Sequence, residues 1–440
     1  MLHKKRLTFW HTFAVVAVLA STGYVILVTV NSWNSDQWVT YSDPPVKVSS
    51  SPFTPVPGSR TLLLNAFHEH RTANRSVLLL AIVWHAEKTS YHCLLCCHDG
   101  ELVTMAVVRN VHQTNFWFPA GTGDFLCQVP VGCQPRFAGL IAENVNTDSL
   151  AVLPILNPVE RWSGFPLNFT VCLSNMFNHY DNVLQFVQAM ELYRLLGAQR
   201  VVIYKNNCSS TMERVLHYYI NQVGLVEVLP WPVDAHIKVS SSWLMSESPG
   251  DLHYYGQIPA LNDCVHRYMY QTQYLLLHDP DEVILPTGNQ TWAELVSTLQ
   301  SIHGRDVNFY FENNVFPFEE KEEISSYNLP EWSHIPGVNV LLHLLREPIP
   351  KQHFTTGKMI VNPRTVDEMS VHSVHKLRKG TATVKIGPEL GKLHHIRRRK
   401  NTSLKRSDLV RDEGLLRFAP QLVREVNRAL RNMNLLPNKL

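Results

Sequence analysis

The 440-residue sequence predicts an α/β protein: a mostly parallel sheet flanked by helices, preceded by a small β-rich domain and an N-terminal membrane-spanning helix. Three observations predict this. From about residue 167 onward, short β-type runs alternate with long helical patterns, the order that builds parallel βαβ crossovers. Between about 60 and 158 the chain offers short β-type runs separated by Gly, Asn and Asp. At the start, a basic cluster precedes a long uncharged run.

Taken in order, His3, Lys4, Lys5 and Arg6 lead into Leu7–Val30, "LTFWHTFAVVAVLASTGYVILVTV". That run is long enough to span a bilayer. Its basic flank assigns residues 1–6 to the cytosol and everything after Val30 to the lumen, as in a type II signal-anchor protein. Cleavage near "VLAS", around Ala20, is the alternative. Residues 31–59 contain "SDPPVKVSSSPFTPVPGS", rich in proline and serine, and read as an extended stem.

Two features agree with a lumenal body. N-x-S/T acceptors occur at Asn74, Asn168, Asn207, Asn289 and Asn401. Eight cysteines suit disulfides in an oxidising compartment, with pairing left open. "CLLCC" contains the C-x-x-C spacing of a zinc site, but no second pair follows at zinc-ribbon distance, which favours disulfides. A formal net charge of +3 and the lack of a basic tract interleaved with aromatics exclude bulk nucleic-acid binding.

Residues 60–158 carry "VLLLAIVWHA", "ELVTMAVVRNV", "FAGLIAEN" and "LAVLPIL", the β-rich, Cys-containing domain. Residues 159–405 form the α/β domain. Within it "NVLQFVQAMELYRLLGAQ" repeats apolar residues at three- and four-residue steps and closes at Gly197, between the β-type runs "FTVCLSNMF" and "RVVIYKNN". "TMERVLHYYINQVG", "LVEVLPWP" and "IPALNDCVHRYMYQ" continue the alternation. Residues 406–440 read as a helical C-terminal segment.

The most informative stretch is "YLLLHDPDEVILP", Tyr274–Pro286. Apolar on both faces, Tyr274–Leu277 suits a strand buried in a parallel sheet, which delivers Asp279, Asp281 and Glu282 to its carboxyl end, where α/β sheets bind ligands. Asp-Pro-Asp is also ordinary turn chemistry. Hard cations such as Mg²⁺ or Mn²⁺ take one or two carboxylates and complete their shell with substrate phosphates, neutralising a departing diphosphate.

Several ordered blocks, "VCLSNMFNHYDNVLQFVQAMELYRLLGAQRVVIYKNN", "GQIPALNDCVHRYMYQTQYLLLHDPDEVI", "GKMIVNPRTVDEMSVHSVHK" and "KLHHIRRR", resemble glycosyltransferase family 92 over about residues 167 to 400. The resemblance implies a GT-A fold, a UDP-galactose donor and inverting β1,4 transfer to terminal galactose or fucose of glycoprotein glycans. It also implies a Golgi address, and a homodimer stays open. Asp279 and Asp281 match the acids of the family's D-x-D-E segment and would hold Mn²⁺, with Glu282 supporting them or touching the sugar. Pro280 departs from the small aliphatic residue expected there.

Gln257, Asn262 and Asp263 are candidates for the donor's hydroxyls, or else cap and solvate their helix. His372, then His395, are candidate further metal ligands, and Arg397 a candidate diphosphate contact. Glu312, ahead of Glu319 and Glu320, is the candidate general base. A metal-dependent phosphoester hydrolase and a non-catalytic glycan-binding membrane protein are the alternatives.

Overall fold

The computed structural model describes residues 38–39, 46–97, 102–143, 150–157, 164–288, 290–323, 325–349 and 356–437. The expected anchor, Leu7–Val30, lies outside these residues, as does the Asn289 acceptor. Among the described residues no helix is long and apolar enough to cross a membrane.

The N-terminal half is a ten-stranded sheet running from Trp38–Val39 to Leu150–Pro154. Its pairs are antiparallel except where Val46–Val48 joins Leu150–Pro154 in parallel. Two disulfides, Cys93–Cys127 and Cys97–Cys133, staple it, so the cysteines of "CLLCC" part ways, with Cys96 a buried thiol. The segment read as a stem is already in this sheet at Trp38–Val39 and Val46–Val48, which pair antiparallel. Thr54–Pro55 pairs with Leu62 and Leu63, and Phe53 is fully buried with its ring 4.9 Å from Trp231. Val46, Phe53 and Val56 supply the apolar anchors that proline and serine around them obscure.

The second half is built on a seven-stranded sheet. Its strands are β1 (Leu167–Met176), β2 (Arg200–Lys205), β3 (Val226–Pro230), β4 (Thr272–His278), β6 (Val307–Phe311), β8 (Lys358–Val361) and β9 (Ala382–Ile386). A separate three-stranded sheet holds β5 (Glu282–Pro286), β7 (Asn313–Pro317) and β10 (Gly391–Arg397). The large sheet runs β3-β2-β1-β4-β8-β6-β9. Only β8 opposes its neighbours, pairing antiparallel with β4 and β6. The small sheet runs β5-β10-β7.

Helix α1 (Val183–Leu196) ends at Gly197, whose φ of 106° is a left-handed cap that glycine adopts without steric cost. α2 (Ser210–Asn221) starts where the Ser209 hydroxyl accepts the Met212 N–H. α3 (Gln257–Tyr268), α4 (Trp292–His303) and α5 (Ala419–Asn432) complete the set.

Side-chain alternation splits the large sheet's core in two. Phe169, Val171 and Leu173 face α1, α2 and α5, while Cys172, Val202, Leu275 and Leu277 face α3. The β-rich half is joined to this second core: Phe53, Leu64, Leu80 and Ile82 pack into it. Cys172–Cys264 pins β1 to α3 through the same layer. Burial on both faces explains why "YLLL" carries no polar residue: Leu275, Leu276 and Leu277 are at most 1 % exposed.

Candidate functional site

At the carboxyl end of β4 the chain must leave the large sheet for the small one, and it does so in one turn. The Glu282 N–H donates to the Asp279 carbonyl at 3.1 Å, which closes a four-residue β-turn. Pro280 is its second residue, where a fixed φ helps and no N–H is needed. The unexpected proline thus shapes the turn. Tyr193 of α1 supports it from below, its hydroxyl donating to the Glu282 carbonyl at 2.8 Å.

The three acids then diverge. Asp279 Oδ1 accepts from Gln257 Nε2 at 3.0 Å, and Oδ2 from Lys358 Nζ at 3.0 Å. Glu282 is buried; its Oε2 accepts the Asp279 N–H at 3.0 Å and lies 3.2 Å from the same Lys358 ammonium. Asp281 turns towards His395, with Oδ2 3.4 Å from Nε2. Strand pairing brings His395 there, since β5 and β10 are antiparallel and set Glu282 directly opposite His395. Its Nδ1 lies 3.1 Å from Glu282 Oε1, yet the two are not aligned as a hydrogen bond, and both atoms are buried without another partner.

These neighbours set the charges. Burial would raise the Asp281 carboxyl, but the His395 imidazole beside it prevails and holds it below the ordinary carboxylate range. Burial pushes Glu282 up against the pull of Lys358 and His395. Burial works against a charged His395, but Glu282 and Asp281 outweigh it and raise the imidazole. Lys358 is raised by Asp279 and Glu282 despite its burial.

A single imidazole flanked by two carboxylates, with the inner contact to Glu282 left unaligned, fits a divalent cation. Asp281 and His395 offer an oxygen and a nitrogen on one side, and Glu282 is placed to orient the histidine from the other. Among the described residues no three His, Cys, Asp or Glu side chains form a metal cluster by themselves. The protein would therefore supply few ligands, as in sites completed by substrate phosphates.

Of the other candidates, Gln257 reaches the turn as described. His372 stands next to it: Nδ1 is 3.2 Å from the Gly357 carbonyl, and burial together with Lys358 lowers its imidazole to about 3. Arg397 is exposed at the end of β10, two residues beyond His395. Asn262 and Asp263 point elsewhere on α3 and are occupied. Asn262 bonds Ile258 O and both the N–H and C=O of Met369, all at 2.9 Å. Asp263 accepts from Asn65 and Tyr204 at 2.6 Å and from Arg267 at 2.9 Å. Their bonds tie α3 to its neighbours, and because both side chains are buried they neither cap nor solvate the helix, as the alternative reading had it.

Glu312 precedes β7, three residues before Val315, which pairs with His395; that is roughly 10 Å along the strand. It sits 3.1 Å from Lys385 Nζ instead of joining the acids. Glu320 is ion-paired with Arg399 and Arg406.

Two parts of the site escaped the sequence. Lys358 is one; a lysine opening the apolar run "KMIV" is a signal, because a buried lysine requires acids beside it. The other is the pair Tyr254 and Tyr255, at φ of 41° and 52°. Left-handed non-glycine residues are costly and cluster at functional sites. Asn175 Nδ2 holds them by donating to Tyr255 O at 2.7 Å and Tyr254 O at 3.3 Å, and Phe177 stacks on Tyr255 at 4.3 Å. No sequence pattern announces such a conformation.

Comparison with known proteins gives this arrangement a family. The description Glycosyltransferase family 92 matches residues 168–433, from β1 through α5. A glycosyltransferase family 92 protein of Caenorhabditis elegans, F13G3.3, is 24 % identical over 241 residues, covering 54 % of this chain and 44 % of the relative. A second, C33H5.2, is 23 % identical over 230 residues, covering 52 % and 41 %. The beta-1,4-galactosyltransferase galt-1 of the same organism is 22 % identical over 254 residues, covering 56 % and 51 %. The chain spans about half the length of the curated relatives it matches. With a family match that runs over the whole large sheet and both faces of the acidic turn, the chain belongs to glycosyltransferase family 92.

Proposed function

We propose that the chain is a GT-A-type inverting glycosyltransferase that moves galactose from UDP-galactose, in β1,4 linkage, to a terminal galactose or fucose of glycoprotein glycans. The observation that carries this reading is the Asp281–His395 pair at the carboxyl end of a buried parallel strand, backed by Glu282. Family membership supports transfer of a sugar, and similarity to a relative named a beta-1,4-galactosyltransferase supports galactose and the linkage. Leu7–Val30 as a signal anchor would hold the body in the Golgi lumen.

Asp281 and His395 would hold Mn²⁺, and Asp279 would join them or support them. The cation would supply charge neutralisation for the departing UDP. Arg397 stands on the rim where a guanidinium can take diphosphate oxygens. Tyr254, Tyr255 and Phe177 form an aromatic wall on the side of β1, suited to a nucleoside face.

Inversion requires a carboxylate to take the proton of the attacking hydroxyl. Glu312 and Glu319 are the candidates, Glu319 in the exposed loop that follows β7 where Pro317 lies opposite Arg397. The test is a transfer assay with the full chain, a set of UDP-sugars and a glycan panel, with and without Mn²⁺. Mn²⁺-dependent galactosylation is the expected result. Phosphate release without transfer, or glycan binding alone, would overturn the reading.

A further inference from the structure

Lys358 is 3 % exposed and faces two acids at once, with Nζ 3.0 Å from Asp279 Oδ2 and 3.2 Å from Glu282 Oε2. Strand register brings it there. β4 and β8 pair antiparallel with Leu275 opposite Val361 and Leu276 opposite Ile360. Continuing that register sets Lys358 beside His278, the last residue before Asp279.

The backbone at this point is tightly held. The Tyr310 hydroxyl accepts the Gly357 N–H at 2.8 Å, and a Cβ on Gly357 would lie 2.1 Å from the Phe311 carbonyl. Glycine is therefore required beside Lys358, and its absence of a side chain allows β8 to press the ammonium against the turn.

The bonds divide the acidic turn in two. Lys358 and Gln257 engage both oxygens of Asp279, and Lys358 and the Asp279 N–H engage Glu282 Oε2. Asp281 forms no ion pair with Lys358, whose charge reaches it only at longer range, and faces His395. An ammonium on a covalent stem cannot leave, so the side of the turn it holds is neutralised permanently.

We propose that Lys358 is a positioning residue: its ammonium takes the place of a second cation between Asp279 and Glu282 and directs a divalent cation to Asp281 and His395. This rests on the reading that the turn binds a divalent cation, and it assigns Asp279 a supporting part in place of a ligand's. Without Lys358, the buried Glu282 and the partly exposed Asp279 beside it would lack their counter-charge and would themselves recruit a cation.

Mn²⁺ alone, titrated into the full chain in detergent and followed by the electron-spin signal of the free ion, tests this. In the unmutated protein Asp281→Asn should weaken Mn²⁺ binding at least about 10-fold, and Asp279→Asn less than about 3-fold. In a Lys358→Met background Mn²⁺ should bind more tightly, raise Tm more than in the unmutated chain, and become sensitive to Asp279→Asn. Lys358→Arg, which keeps the charge, should retain the insensitivity.

If Lys358→Met does not fold, the two aspartate variants decide the matter on their own. An Asp279→Asn loss equal to that of Asp281→Asn in the unmutated background would overturn the division of labour while leaving the cation reading intact. No Mn²⁺ uptake by the unmutated chain would overturn both.

Discussion

Two buried polar clusters sit within one helix and one turn of each other and behave oppositely. On the inner side of α3, Asn262, Asp263 and Arg267 are engaged by one another and by neighbouring groups, donor matched to acceptor. At the Asp279–Glu282 turn, Glu282 Oε1 and His395 Nδ1 stay without an aligned partner. Buried polar groups in a finished structure are nearly all satisfied. A satisfied cluster therefore reads as a pin, and one with spare valence as a place prepared for something else.

The sharpest way to break this contrast is on the satisfied side. Asp263→Ala strands Arg267 without its carboxylate and frees the hydroxyl of Tyr204, at a cost of about 3–5 kcal/mol. Chemical denaturation should show that loss, while transfer per folded molecule stays unchanged. A drop in turnover at full stability would make Asp263 a site residue after all.

A second satisfied contact predicts a pH dependence. Burial would raise Glu69, but its bonds to Arg71 lower it from 4.5 to about 2. A depressed carboxyl stabilises the fold above its unfolded value and loses that contribution as pH falls, so the window runs from about pH 4.5 down to about 2. Glu69→Gln should flatten the stability curve there by about 3 kcal/mol. Equal slopes in both proteins would remove the contact from the stability account.

On the unsatisfied side the effect should be smaller in stability and visible in binding. Glu282→Gln keeps the shape of the side chain but weakens its hold on His395, and Mn²⁺ affinity should fall about 10- to 100-fold. Unchanged affinity would leave His395 without the orienting role assigned to Glu282.

How much of this was legible beforehand follows from where the information resides. β1, α1, β2, α2, β3, α3 and β4 follow one another with strong periodicity, and each stands where its pattern puts it. The acids announced themselves by interrupting an apolar strand. His395 is a candidate ligand from the sequence, but its place beside Asp281 and Glu282 needed the β5–β10 register, a contact across more than 100 residues that no local pattern carries. Lys358 needed the reversal of β8. Asn262 and Asp263 misled because a helix block shared with Gln257 does not say which face each side chain takes. The stem's boundary misled because composition hid Phe53 among prolines and serines.

The most direct test is galactose transfer from UDP-galactose by the full chain with Mn²⁺, set beside Asp281→Asn measured at equal folded concentration. Loss of at least about 100-fold in kcat/KM, about 2.7 kcal/mol, with Tm unchanged, is what an acid at the reacting diphosphate predicts. Full transfer by Asp281→Asn would contradict the account at its centre.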